Sequence, residues 1–261
     1  MRIVIKVGTS TIAHQTGMTN IRHIEKMVKV ISDLKNAGHE VILVSSGAIG
    51  IGVGKLALGA RPSDMPTKQA AAAVGQVELM FTYDKLFGDY NHSVAQVLIT
   101  GPDMRDAERY QNFMNTVGRL LELHVLPIIN ENDTVSTEEI GIGENDTLGA
   151  IVAVGVHADL YIILSDIDGL YTADPRVDSN AKLVPVVKKI TADVLQLAGD
   201  VGSKLGSGGM KTKLKAAMLT TEAGCDMAIV NGARPELLYD VADGRPAGTR
   251  FIGRRDEDDD A

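Results

Sequence analysis

The sequence contains no tryptophan and a single cysteine, Cys225, among 261 residues. One cysteine excludes an intramolecular disulfide, and such scarcity is typical of a reducing compartment, so we expect a cytoplasmic protein. No apolar run approaches the roughly 18 residues of a membrane-spanning helix, and the N-terminus lacks the arrangement of a secretory signal. Membrane and secreted proteins are therefore not expected.

The net charge is negative. Lysine and arginine number 26 against 34 acidic residues, a formal charge of −8, and no basic arm or face stands out. Binding to nucleic acid is therefore not expected. Acidic residues are concentrated at the end of the chain, which predicts one domain over residues 1–253 and an acidic, disordered tail over residues 254–261.

Two familiar nucleotide-binding motifs are missing. The chain has no GxxxxGK[ST], and no GxGxxG follows its first predicted strand. Gly50, Gly52 and Gly54 resemble the second motif only superficially, because they follow the second strand and lie in a segment, 50–66, that we predict to be irregular. Any phosphate chemistry must therefore use other residues.

Apolar segments with strand and helix periodicity alternate along the chain, which predicts an α/β fold with a mainly parallel sheet. The predicted strands are residues 2–7, 40–44, 94–100, 125–130, 160–164, 227–230 and, as a possible edge strand, 248–252. The predicted helices are residues 20–37, 68–87, 105–123, 147–156, 210–223 and 235–241. In such sheets ligands bind beyond the carboxyl ends of the strands, so polar residues there are candidates for a site.

Two lysines are candidates for binding phosphate. Lys6 lies near the end of a predicted central strand, where an ammonium group must either reach solvent or meet an anion. Lys213 lies in the first turns of a helix that follows several glycines, where an anion would offset its repulsion by the helix dipole. The alternatives are an edge-strand lysine in solvent and a flexible glycine hinge.

Two clusters of Asn and Asp lie near one strand and the next helix, at residues 130–133 and 144–146. These residues favour turns and helix N-caps, and they also suit a polar ligand with an amine or a carboxylate. For Asp146 the residues alone leave capping and ligand binding open. Ser46 and Gly47, after the second strand, could bind a carboxylate or phosphate, although a simple glycine turn is an equal alternative.

Five ordered motifs carry a resemblance to a known family: KVGTS at 6–10, SSGAI at 45–49, INEND at 129–133, GLYTADPR at 169–176 and GGMKTK at 208–213. Together they resemble the amino acid kinase family, and within it the kinases that act on glutamate. The resemblance implies a three-layer α/β/α sandwich around a mainly parallel sheet. The amino acid would bind over the N-terminal half and ATP over the C-terminal half.

The resemblance also implies an activity: ATP-dependent phosphorylation of the γ-carboxylate of L-glutamate to L-glutamyl 5-phosphate, the first step of proline synthesis. It implies Mg²⁺ with ATP, no metal site of the protein itself, feedback inhibition by proline, and a homo-oligomer of unspecified size.

Site residues follow from the same motifs. Lys6 and Lys213 would stabilise the transferring phosphoryl group, Asp146 would hold both lysines, and Gly8 and Gly47 would bring backbone N–H groups to the reacting atoms. The glutamate ligands would be Ser46, Asp133 and Asn145. The ATP ligands would be Lys6, Ser165, Asp166, Ser207, Gly208, Gly209, Met210, Lys211, Thr212 and Lys213.

Two departures from the family pattern are visible. Many members continue into a C-terminal PUA domain, in place of which this chain has an acidic tail, and Ser45 and Ser165 stand where threonine is common. The alternatives are another kinase of the fold, acting on acetylglutamate, carbamate or aspartate, and a non-catalytic sensor of ATP or an amino acid. INEND and GLYTADPR argue against the first, and the presence of Lys6, Asp146 and Lys213 argues against the second.

Overall fold

The computed structural model describes residues 1–14, 16–136, 145–197 and 208–255, and these ranges contain eight strands and ten helices. The strands are β1 (Arg2–Val7), β2 (Glu40–Ser45), β3 (Val94–Ile99), β4 (Leu126–Glu131), β5 (Leu160–Ser165), β6 (Val186–Val187), β7 (Asp226–Asn231) and β8 (Thr249–Phe251). The helices are α1 (Thr9–Ile12), α2 (Ile21–Asn36), α3 (Ala48–Lys55), α4 (Met65–Gly88), α5 (Gly101–Arg105), α6 (Ala107–Glu122), α7 (Asn145–Gly155), α8 (Ala192–Gln196), α9 (Gly208–Glu222) and α10 (Leu237–Ala242).

All eight strands form one sheet in the order β3-β4-β2-β1-β5-β7-β8-β6. Every neighbouring pair is parallel except β7 and β8, which are antiparallel. The chain passes from β1 to β2 on one side and later adds β5 on the other side of β1. The strand order therefore reverses next to β1, and a sheet of this type binds its ligand outside the carboxyl ends at such a point.

Helices cover both faces of the sheet because side chains alternate along each strand. On β1, Ile3 and Ile5 face a core formed with α2, α4 and α10, whereas Val4 faces a second core formed with α6, α7 and α9. The central strands are buried on both faces, as parallel strands between two helical layers are. This arrangement confirms the predicted three-layer α/β/α fold.

Helix α3 corrects the sequence prediction, which treated residues 50–66 as irregular. Glycine is a poor helix former, but here it lets α3 and α4 pack backbone against backbone. A Cβ atom on Gly52 would lie 1.8 Å from the carbonyl oxygen of Ala71, and one on Gly75 would lie 1.8 Å from that of Ala48. The glycine-rich segment therefore forms a helix because its backbone packs closely against α4.

The predicted helix over residues 105–123 corresponds to α6, which Asp106 caps, and the short helix α5 before it, which Thr100 caps, was not predicted. The short elements α1, α8 and β6 were not predicted. None of the helices in the described ranges combines the length and the apolar character needed to cross a bilayer.

The predicted tail begins two residues too early. Arg254 N–H donates to the Thr221 carbonyl at 2.8 Å, and Arg255 Nη2 lies 2.9 Å from the Asp226 carboxylate. Both residues therefore belong to the folded domain, and residues 256–261 lie outside the described residues.

Candidate active site

Lys6 reaches the site because of its position on β1. Strand alternation places it on the same face as Val4, towards α7, near the carboxyl end of the strand. Its Nζ lies 2.6 Å from Oδ1 of Asp146, the second residue of α7. The side chain of Lys6 is 12% exposed, so this lysine does not extend into solvent.

Lys213 reaches the same carboxylate from the first turns of α9. Its Nζ lies 3.0 Å from Oδ2 of Asp146 and 3.2 Å from the Gly209 carbonyl oxygen, and its side chain is 11% exposed. Thr212 Oγ1 is a third neighbour, 3.3 Å from the same Oδ2. Residues more than 200 positions apart in the chain are therefore bridged by one aspartate.

Two ammonium groups around one carboxylate leave a surplus positive charge in a nearly buried cluster. Burial opposes ionisation of Asp146, but the charges of Lys6 and Lys213 outweigh it, and its pKa is lowered. Asp146 lies inside α7 with both oxygens directed at lysines, so it is not an N-cap residue. A buried surplus charge of this kind favours an anion, such as a phosphoryl group.

A cavity of about 870 Å³ opens beside this cluster at the carboxyl edge of the sheet. Lys6 lines it together with Ser46, Gly47, Asp133 and Asn145. Gly47 has φ +101°, a left-handed conformation suited to glycine, and α3 begins at the next residue. The first residues of α3 also line the cavity, and backbone N–H groups at a helix start favour an anionic group.

Asp133 is one of two acidic residues that line the cavity, and Glu131 is the other. Burial raises the pKa of Asp133 to about 6, the neighbouring carboxylate of Glu131 adds to the rise, and Arg61 opposes it. A cationic ligand group placed beside Asp133 would stabilise the ionised form, so this part of the wall suits an amine.

Amide side chains hold the adjoining wall. The two hydrogens of Asn145 Nδ2 are shared among three acceptors, Ser46 Oγ at 2.8 Å, the Ser45 carbonyl at 3.1 Å and Asn130 Oδ1 at 3.0 Å. Asn130 is 2% exposed, and its Nδ2 donates to Gln76 Oε1 at 3.0 Å. The two Asn-rich clusters that the sequence separates are thus in direct contact.

The predicted ATP ligands lie on the other side of the lysine cluster. Ser165 ends β5 and Asp166 follows it, and the Gly232 N–H donates to the Ser165 carbonyl at 2.7 Å. Helix α9 carries Gly208, Gly209, Met210, Lys211, Thr212 and Lys213 in its first turns, with Met210 in the core and Lys211 exposed. Ser207 lies outside the described residues.

Gly8 follows β1 directly. A Cβ atom there would lie 3.7 Å from Lys6 Nζ and 3.8 Å from the Leu164 carbonyl oxygen. Both distances are ordinary van der Waals contacts, so Gly8 lies directly beside the lysine.

Sequence reasoning missed two residues of this region, Gln76 and Arg61. Gln76 could have been found, because it interrupts an apolar helical stripe that includes Ala72, Leu79 and Tyr83 on α4. Arg61 lies in the segment that was predicted to be irregular, where periodicity gives no information.

Comparison with known proteins supports the same fold and motifs. The model described as "Amino acid kinase family" matches residues 1–231. A "Glutamate 5-kinase" of Clostridium tetani (strain Massachusetts / E88) is 53% identical over 249 residues, 95% of this chain and 93% of that protein. One of Caldanaerobacter subterraneus subsp. tengcongensis is 50% identical over 252 residues, 97% of this chain and 68% of that protein.

Solved structures resemble the chain at lower identity and support the fold alone. A carbamate kinase from Giardia lamblia bound to AMP-PNP has a TM-score of 0.69 and 16% identity, covering 97% of this chain and 98% of that one. An isopentenyl phosphate kinase of T. acidophilum has a TM-score of 0.68 and 18% identity, covering 96% of this chain and 100% of that one. With the sheet topology, the lysine cluster and the family match taken together, the chain belongs to the amino acid kinase family.

Proposed function

We propose that this chain is a glutamate 5-kinase, which transfers the γ-phosphoryl group of ATP to the γ-carboxylate of L-glutamate. The observation that carries the proposal is the Lys6–Asp146–Lys213 cluster, which joins a cavity suited to an amino acid to the start of α9. Relatives named "Glutamate 5-kinase" at about half identity support the choice of substrate.

The charges of glutamate match the cavity. Asp133 and the carbonyl oxygen of Asn145 would bind the α-ammonium group. The hydroxyl group of Ser46 and the backbone N–H groups after Gly47 would bind a carboxylate. The γ-carboxylate would then lie towards Lys6, where the phosphoryl group arrives.

ATP would occupy the opposite side of the cluster. The N-terminus of α9, with Gly209 and Thr212, would hold the phosphates, and Ser165 and Asp166 would contact the rest of the nucleotide. Ser207, Gly208, Met210 and Lys211 complete the proposed ATP-binding set.

The transfer needs little covalent chemistry from the protein. A γ-carboxylate is already a nucleophile, so no general base is required, and catalysis consists of alignment and neutralisation of charge. Lys6 and Lys213, fixed by Asp146, would face the charge that spreads over the phosphoryl oxygens, and the backbone N–H groups of Gly8 and Gly47 would add to this. One oxygen–phosphorus bond forms as another breaks, and ADP leaves.

Mg²⁺ would enter this site bound to ATP. In the part of the chain that the structure describes, no three His, Cys, Asp or Glu side chains gather as a metal site, and both oxygens of Asp146 contact lysines. Mg²⁺ is commonly held largely by substrate phosphates and water. When bound, it would neutralise phosphate charge, and the residues nearest to it would be those at the start of α9.

Proline shares the α-carboxylate and the amine of glutamate, so we propose that it inhibits by competing at the Ser46, Asp133 and Asn145 wall. We also propose a homo-oligomer. Val77 and Phe81 lie one turn apart on α4 and are 72% and 64% exposed, an apolar pair that contact between copies would cover.

The test is a coupled assay of ADP release with glutamate, N-acetylglutamate, carbamate or aspartate as acceptor, with and without proline. We expect release with glutamate and a rise in the apparent KM for glutamate when proline is present. Release with N-acetylglutamate but not with glutamate would overturn the proposed substrate. Binding of ATP without release for any acceptor would indicate a sensor.

A further inference from the structure

A chain of side-chain amides runs from the surface to the cavity wall. Gln96 Oε1 accepts from Gln76 Nε2 at 3.2 Å, and Gln76 Oε1 accepts from Asn130 Nδ2 at 3.0 Å. Asn130 Oδ1 then accepts from Asn145 Nδ2 at 3.0 Å, and the same Nδ2 donates to Ser46 Oγ at 2.8 Å. Gln76 and Asn130 are buried, whereas Gln96 is exposed.

Backbone groups fix the direction of this chain. The Glu131 N–H can only donate, and it lies 2.9 Å from Asn130 Oδ1, so the Nδ2 of Asn130 must point to Gln76. The Ser45 carbonyl can only accept, and it lies 3.1 Å from Asn145 Nδ2, so this amide nitrogen also points inwards. Rotating the Asn130 amide would place its Nδ2 against the Glu131 N–H, a donor against a donor, and rotating the Asn145 amide would place its Oδ1 against the Ser45 carbonyl oxygen, an acceptor against an acceptor.

We propose that Gln76 is a positioning residue that, together with these backbone groups, maintains the hydrogen-bonding polarity of the substrate wall by accepting from the buried Nδ2 of Asn130. With Nδ2 of Asn145 turned inwards, its Oδ1 is left as an acceptor for the cavity. Because Ser46 Oγ accepts from Asn145, its own proton is free for a ligand oxygen. The wall then offers an acceptor for an ammonium group beside a donor for a carboxylate, and this inference rests on the proposed glutamate kinase function.

Loss of the acceptor at position 76 would act through Asn130. The buried Nδ2 of Asn130 would then lack a hydrogen-bond acceptor. This cost favours rotation of the Asn130 amide towards another acceptor. Asn145 would then keep the Ser45 carbonyl but lose Asn130 Oδ1 as an acceptor, and its less firmly held amide could turn Nδ2 to the cavity and repel the ammonium group. A residue that served only in packing would have no such selective effect.

The experiment compares Gln76→Met, which removes the acceptor at similar size, with Gln76→Glu, which keeps an acceptor for Asn130. Gln96→Met is the matched control, because it removes only the exposed end of the chain. Gln76→Leu serves as a second variant without an acceptor if the methionine variant does not fold. The readouts are kcat, the KM for glutamate, the KM for ATP and the inhibition constant of glutarate, which lacks the ammonium group.

Gln76→Met should raise the KM for glutamate about tenfold, which corresponds to one well-placed hydrogen bond. The other three readouts should stay within about twofold of wild type, since they do not depend on the ammonium contact. Gln76→Glu and Gln96→Met should each remain within about threefold for glutamate, because both keep the acceptor.

The proposal is overturned by an unchanged KM in Gln76→Met and Gln76→Leu, by parallel rises in the glutamate KM and the glutarate constant, or by a Gln76→Glu variant as impaired as Gln76→Met. The same assay separates this proposal from the function itself. A wild-type protein that releases no ADP with glutamate would refute the proposed function, whatever the variants do.

Discussion

Asp146 and Asp226 are both buried aspartates that contact two cations, and they lie at opposite edges of one sheet. Asp146 stands at the carboxyl edge between Lys6 and Lys213. Asp226 begins β7 at the amino edge, where Arg250 Nη2 lies 2.8 Å away and Arg255 Nη2 2.9 Å away. The same pairing of charges therefore occurs in two settings.

The settings differ in how the charge is satisfied. Asp226 also accepts from the Gly253 N–H at 2.9 Å, and the side chains of Arg250 and Arg255 are 30% and 58% exposed, so water screens their charge. Planar guanidinium groups suit such fixed, saturated pairing. The lysines of Asp146 are nearly buried point charges with a surplus for an anion. We therefore infer that the Asp226 cluster serves stability and that the Asp146 cluster serves phosphate binding.

The largest effect should come from removing a cation at the carboxyl edge. We expect Lys213→Ala to lower kcat about 1000-fold while changing the KM for glutamate little, because the lysine acts on charge in the transition state. Lys215→Ala is the matched control, since this exposed lysine lies two residues further along α9. Steady-state ADP release checks both variants, and an unchanged kcat in Lys213→Ala would remove its catalytic role.

At the amino edge the effect should be on stability. Asp226→Asn should lower the free energy of unfolding by about 2 kcal/mol, because charge-assisted hydrogen bonds to Arg250 and Arg255 are lost. Turnover of the folded protein should stay within about twofold of wild type, since no proposed ligand contacts this edge. Urea unfolding and the ADP assay measure the two quantities, and a selective loss of turnover would break the division between the edges.

Asp133 is a third aspartate, in the cavity wall at the carboxyl edge, and burial and the carboxylate of Glu131 raise its pKa to about 6. Below that pH the neutral carboxyl group binds an ammonium group poorly, so kcat/KM for glutamate should fall as the pH drops below about 6. Asp133→Ala should raise the KM for glutamate about tenfold and abolish this step. Glu131→Gln should shift the fall in kcat/KM to lower pH, because it removes a negative charge that raises the pKa of Asp133. A pH profile of kcat/KM checks all three, and an unaltered KM in Asp133→Ala would refute its assignment.

The smallest effect should come from the support beneath Asp146. Tyr161 is fully buried and donates from its hydroxyl group to the Asp146 carbonyl at 2.9 Å. Tyr161→Phe should lower the free energy of unfolding by about 1 kcal/mol, the contribution of a single hydrogen bond. Tyr83→Phe, which loses a 3.0 Å bond to Ser45, is the control at the other core. A fall in kcat for Tyr161→Phe that is much larger than the fall for Tyr83→Phe would show that the hydrogen bond from Tyr161 also aligns the Asp146 carboxylate.

The carboxyl edge was largely predictable from the sequence, and the amino edge was not. Lys6 and Lys213 stand in recognisable motifs and Asp146 in an Asn and Asp cluster, all at strand ends or helix starts, and parallel strands bring those ends together. No local sequence pattern predicts the contact of Asp226 with Arg250 and Arg255, because this contact depends on the antiparallel pairing of β8 with β7.

The remaining errors have the same cause. The glycine-rich helix α3 depends on the approach of α4, which local helix propensity does not record. The amide chain through Gln76 joins α4, β3, β4 and α7, so it becomes visible only when the four elements are assembled. Sequence periodicity predicted the layers of the fold, whereas contacts between distant segments required the structure.

We infer that the surplus positive charge of Lys6 and Lys213 around Asp146 serves phosphoryl transfer. The most direct measurement is glutamate-dependent ADP release by Asp146→Asn and Asp226→Asn at saturating substrates, corrected for the folded fraction. We predict that Asp146→Asn loses kcat by about 100-fold or more, because both lysines lose the group that fixes them, while Asp226→Asn keeps it. Equal kcat values for the two variants would contradict the account.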